Sequence, residues 1–276
     1  MEPCRTPAST GKAPSSPLRL RTLGVMAATR FDKIDALRGV AMVWMTVFHF
    51  CFDLNHFGYL KQDFYADPFW TTQRTLIVSL FLFTAGLGQA VAVHQGQGWP
   101  RFGRRWAQVA GCALLVTAGS YWMYPRSFIY FGVLHGMAVI LLIARLAALG
   151  KPGRALWLWA AGGLAIAAGF VASQALVALG SAEVAALFDS RLLNWLGIIT
   201  RKPITEDYVP LLPWLGVMLW GVAAGQWLLA QNPAWLHRPA GAVARPLAWL
   251  GRWSLTYYML HQPVLIGVLM GVGAAR

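Results

Sequence analysis

The sequence predicts an all-α protein: a polytopic membrane helical bundle of about seven spans, seven or eight, with its N-terminus in the cytoplasm. Three observations carry this. Of the 276 residues, 57% are hydrophobic and only 12% are charged, about half the charged share of a soluble domain. Seven apolar runs approach the roughly 20 residues that cross a bilayer. The net charge of +13 falls almost entirely on one side of those runs. Fourteen tryptophans and 28 glycines agree, since Trp gathers at membrane interfaces and Gly is common in membrane helices.

The runs are 34–53, 75–94, 106–124, 128–148, 155–179, 210–230 and 253–273. The third and fourth are separated only by YPRS, the weakest break among the runs. The stretch LLNWLGIIT (192–200) is too short to span and is placed in the interface or as a re-entrant piece. With the N-terminus inside, the inner segments hold 16 basic residues and three acids, while the outer segments hold seven of each. This is the positive-inside pattern. The basic charge therefore reads as topology and lipid headgroup contact, not nucleic-acid binding.

Residues 1–30 are rich in Pro, Ser, Thr and Arg and read as a disordered or non-native tail, with Met26 as a second candidate start. Residues 31–276 read as one transmembrane domain. Cys4, Cys51 and Cys112 form no CxxC pair, so neither a disulfide framework nor a zinc site is expected. There is no internal repeat and no Walker or Rossmann glycine pattern.

Ionisable groups inside a span mark function by default. The run IDALRGVAMVWMTVFHF (34–50) holds Arg38 near its start and His49 near its end. Eleven residues are close to three turns, so both lie on one helix face about 16 Å apart along the axis. Asp35, three before Arg38, and Asp53, four after His49, extend the stripe. Arg38 alone reads as a headgroup anchor whose stem snorkels, and His49 alone as a satisfied packing residue. The joint spacing favours function. His135 and His261 fall in the fourth and last spans and either converge with His49 or sit apart, each bonded locally. No His, Asp or Glu cluster has metal-ligand spacing, so no metal is expected. His56, His94 and His237 read as solvated surface. Asp207 and Tyr208 precede the prolines that open the sixth span. They read either as helix-entry chemistry or as groups over the outer mouth of the bundle, with Asp207 orienting a histidine or an acceptor hydroxyl.

The first span resembles the opening span of the transmembrane acyltransferase superfamily, whose acyltransferase-3 type carries Arg-x10-His. The closer resemblance is to the bacterial family similar to the catalytic domain of heparan-alpha-glucosaminide N-acetyltransferase. It rests on IDALRG, LFLFTAGLG, FGVLHGMAVILLIARL, DYVPLLPWLGV and GRWSLTYYMLHQPVLIG, in that order across residues 31 to 270. The resemblance implies transfer of an acetyl or other acyl group from cytoplasmic acyl-CoA to an acceptor on the far side. Arg38, with Asp35, would hold the donor phosphates. His49 would act as general base or acyl carrier, with Asp53 or Asp207 fixing its tautomer. The family's active histidine also occurs in the segment after the first span, where His56 is the only histidine here, so His49 and His56 both stand as candidates. The implied partners are acyl-CoA, a saccharide acceptor and membrane lipids, in a bacterial inner membrane; a homo-oligomer stays open. The alternatives are a small transporter or flippase, which would show paired broken helices, and a non-catalytic scaffold or sensor.

Overall fold

The computed structural model describes residues 30–150 and 155–274; the proposed N-terminal tail lies outside them, apart from Arg30. The chain is all-helical, and no strand occurs among the described residues. The long helices are α1 (Asp32–His56), α2 (Pro68–His94), α3 (Trp99–Met123), α4 (Val133–Ala148) and α5 (Ala155–Leu179). A short helix α6 (Ala182–Asp189) follows, then α7 (Trp214–Gln231), two short helices α8 (Ala234–His237) and α9 (Ala244–Arg252), and α10 (Ser254–Ala274).

Seven of these coincide with the seven apolar runs. By length and composition α1, α2, α5 and α10 are each able to cross a membrane, while α4 is a shorter apolar helix of 16 residues. This is a helical membrane protein. Three helix starts differ from the hydropathy reading by five residues or more; one is α3, which opens seven residues early at Trp99 with Pro100 in its first turn. α2 starts seven residues early because Asp67 accepts the Phe69 N–H at 2.8 Å and Pro68 sits in the first turn, a favoured N-terminal pairing. α4 starts five residues late because 128–132 is not helical and Phe131 pairs with Tyr208 in an isolated parallel bridge.

Lipid is as apolar as leucine, so helices in a bilayer associate through close packing of small residues. The glycines show where. A Cβ on Gly86 would lie 2.2 Å from the Met218 carbonyl oxygen, and one on Gly221 2.1 Å from that of Phe83, so α2 and α7 meet backbone to backbone. α5 joins α7 the same way at Gly162 and Gly216. α9 packs on the start of α1 through Gly39 and Gly251. The largest apolar cluster sits where α2, α4 and α7 meet, around Leu82, Ile140, Met218 and Val222. α3 packs extensively only with α4, and α10 chiefly with α1. Space is thereby left between α3 and the α1–α10 pair.

Candidate active site

A polar seam joins α1 to α10. Thr46 Oγ1 lies 2.6 Å from the Tyr257 hydroxyl, the His49 and His261 rings are 5.2 Å apart between centroids, and the Gln262 amide donates to Asp53 Oδ1 at 2.7 Å. The pairs advance together along both helices, so α1 and α10 run in the same direction. Thr46, His49 and Asp53 follow each other at three and four residues, one stripe of α1. Tyr257 and His261 are likewise four apart, with their rings stacked at 6.0 Å.

The hydrogen bonds fix one tautomer. His261 Nδ1 lies 2.7 Å from the Tyr258 carbonyl oxygen. A carbonyl only accepts, so Nδ1 carries the proton and Nε2 keeps its lone pair. That Nε2 is buried and has no partner. Asp53 Oδ2 is also buried and unpartnered, on a residue 3% exposed. Unsatisfied buried polar atoms are uncommon and call for an explanation. Among the described residues, no hydrogen bond holds His49. Its ring forms T-shaped pairs with those of Phe48 and His261, at 5.8 and 5.2 Å between centroids.

Toward the start of α1, Arg38 donates to Asp35 at 3.0 Å and reaches the Thr84 carbonyl at 3.5 Å. Gly88 leaves it room, since a Cβ there would stand 3.2 Å from the guanidinium. Asp35 also lies 3.7 Å from Arg252, which binds Asp32 at 2.6 Å. Asp35 thus ties α9 to α1 and orients Arg38. Arg105 of α3 donates to Gln108 Oε1 on its own helix at 3.2 Å.

The remaining candidates cluster near the N-terminus of α4 and are satisfied there. His135 Nδ1 accepts the Gly132 N–H at 3.3 Å, so its proton sits on Nε2, which donates to Thr117 Oγ1 at 2.9 Å; the Thr117 hydroxyl in turn donates to the Ile129 carbonyl at 2.8 Å. Both ring nitrogens are occupied. Asp207 Oδ2 accepts the Val133 N–H at 2.7 Å, a carboxylate on a helix N-terminus. Burial pushes the Asp207 carboxyl above its usual range, against that N–H bond. Asp207 therefore engages a backbone amide and no imidazole. The Tyr208 hydroxyl donates to the Asn194 carbonyl at 2.5 Å, within the 3-10 turn Asn194–Leu196. Segment 190–213 is thus tied to the start of α4 by Asp207 and to the Phe128 carbonyl by Thr205, while the Tyr208 bond closes the segment on itself. His56, at the end of α1, is exposed beside Phe57.

Comparison with known proteins decides the family. The family model for the heparan-alpha-glucosaminide N-acetyltransferase catalytic domain matches residues 30–263. The chain belongs to this family. No curated protein and no solved structure matches it. In this acetyltransferase-family chain, the matched region holds the whole seam and ends just after His261 and Gln262. Arg38 stands about three turns below His49, as the sequence indicates. The pairing of His261 with His49, and of Gln262 with Asp53, was not readable from spacing, because the partners are more than 200 residues apart. Among the described residues, no three His, Cys, Asp or Glu gather into a metal-binding group.

Proposed function

We propose that this chain is an acyltransferase of the bacterial inner membrane. It takes an acetyl or other acyl group from cytoplasmic acyl-CoA and delivers it to a periplasmic glycan, amino sugar or lipid-linked saccharide. The observation that carries the reading is the His49–His261 pair, two facing imidazoles inside the bundle, one with a free and tautomer-locked Nε2. Imidazole titrates near neutrality, which suits it to moving protons during acyl transfer.

Arg38 holds the donor phosphates at the basic face, and the pantetheine arm follows α1 toward His49, about 16 Å along. Neutral His49 attacks the thioester carbonyl. A C–N bond forms, the C–S bond breaks, and the proton from the second ring nitrogen passes to His261 Nε2. The CoA thiolate takes that proton and leaves as the thiol. The acceptor O–H or N–H then attacks the acetyl-imidazole, its proton passes to His261, and His49 leaves with the bonding pair and recovers the proton. Transfer from donor straight to acceptor, with the same pair as base, uses the same geometry.

Charge-assisted hydrogen bonds are worth roughly 1.5–3 kcal/mol, which corresponds to about ten- to hundredfold in affinity. Arg38→Ala is therefore expected to raise the KM for acetyl-CoA by that factor. Arg38→Lys, which keeps the charge but not the fork, gives a smaller rise. CoA release from purified protein measures both. An unchanged KM in Arg38→Ala removes this arginine from the donor site.

A further inference from the structure

A groove of about 410 Å3 opens between the far ends of α1, α3 and α10. It is lined by His56 from α1, Trp122 and Tyr124 from the end of α3, and Ile266 and Met270 from α10. Its volume falls in the range of small-molecule sites. It exists because α3 leans on α4 and not on α10. Two of its lining residues, Met270 on α10 and Trp122 on α3, are 59% and 86% exposed. The groove thus opens sideways, toward hydrocarbon.

One end of the groove is polar and adjoins the seam. His56 is three residues beyond Asp53 on α1, one turn along the same helix face, and Tyr124 lines the groove with it. Asp53 Oδ2 is the buried acceptor left without a partner. A free saccharide needs hydrogen bonds for most of its hydroxyls, and this wall supplies two polar side chains. Bulk lipid tails would fill the apolar part but would leave the polar end unused. The lining fits an amphiphile with a hydroxyl- or amine-bearing head and a hydrocarbon tail.

We propose that this groove seats the tail of a membrane-borne acceptor, a glycolipid in chemical class, with its head at His56, Tyr124 and Asp53. The proposal rests on the acyl-transfer reading above and names the substrate class for it. The tail enters between α3 and α10, and the reactive group of the head meets the acetyl carrier at the outer end of the seam. Soluble sugars sharing that head are poorer acceptors, because each buried methylene adds severalfold to affinity.

The test uses full-length protein in lipid nanodiscs and a long-chain alkyl glucosaminide with a diazirine on its chain. Crosslinks are expected to concentrate on the end of α3 and the outer half of α10. Excess unlabelled glycoside should displace them, and Ile266→Trp or Met270→Trp should abolish them. With acetyl-CoA, the alkyl glucosaminide is expected to show a KM at least roughly tenfold below that of free glucosamine. Both tryptophan variants should narrow this gap, while Leu164→Trp on the exposed face of α5 should leave it intact. Crosslinks spread evenly over lipid-facing positions such as Leu164 and Val171 would mean bulk lipid occupancy and overturn the proposal. Equal use of free and alkyl-linked glucosamine would overturn it in favour of a soluble glycan. CoA release with neither acceptor, while the crosslinks still concentrate at the groove, would overturn the acyl-transfer reading and with it the groove's role as an acceptor site.

Discussion

His49→Ala is expected to lower acetyl transfer by about 10²- to 10⁴-fold, the range set by a positioned acid–base group. The reason is local. His49 has no hydrogen-bond partner among the described residues and faces His261 across 5.2 Å, so its ring serves the seam's chemistry more than its packing. The folded bundle should therefore survive the change, with thermal melting close to that of the wild type. His261→Gln separates the two roles further. The amide can still donate toward the Tyr258 carbonyl but offers no titratable Nε2, so transfer should fall while melting holds. His56→Ala, at an exposed site beyond the seam, should cost far less, since it contacts the acceptor head and not the acyl group. Radiolabelled acetyl-CoA incubated with each purified variant, with label on protein and CoA release both counted, distinguishes these outcomes. Loss confined to His56→Ala moves the chemistry to the end of α1.

Gly39→Ala is expected to have the second large effect, on folding and donor binding together. A Cβ at position 39 would sit 2.0 Å from the Leu247 carbonyl oxygen, and the reciprocal contact at Gly251 is 1.8 Å from the Asp35 carbonyl. Real Cβ atoms do not approach so closely, and the obstacle is backbone, so no rotamer change relieves it. α9 must move away from α1. Overpacking of this kind costs about 1–3 kcal/mol. The shift also pulls Arg252 from Asp32 and Asp35, and so loosens the carboxylate that orients Arg38. Detergent-solubilised Gly39→Ala should melt several degrees lower and show a raised KM for acetyl-CoA. Wild-type melting would mean that α9 is free to slide on α1 and that Asp35 is not held from that side.

Much of the architecture was legible because membranes impose one-dimensional rules. Apolar runs of span length and the placement of basic residues need no tertiary information, and the seven runs reappear as the seven long helices. The Arg38–His49 relation was equally legible, since both lie on one helix and helical periodicity fixes their shared face. What lay between helices was not. Nothing in the spacing of His261 says that it meets His49, and the free Nε2 follows from a backbone bond to Tyr258 that only the folded chain shows. The same limit separated His135 from the seam. Its depth suited a third imidazole, but a polar chain through Gly132, Thr117 and Ile129 occupies both its nitrogens. Asp207 sits beside the start of the sixth apolar run, yet it serves the N-terminus of α4, 74 residues away. Nothing in the sequence marks Gly39 and Gly251 as the contact between α1 and α9.

In the proposed reaction the acyl group crosses the bundle along α1, from a donor on the basic face to an acceptor on the other. The most direct measurement encloses the two substrates on opposite sides of one membrane. Protein is reconstituted in a single orientation in proteoliposomes, with acetyl-CoA only on the side of the α1 N-terminus and a membrane-impermeant amino sugar only on the opposite side. Acetylated sugar accumulating on the side opposite the donor, and abolished by His49→Ala, is the predicted result. Product formed only when donor and acceptor share one side would contradict it.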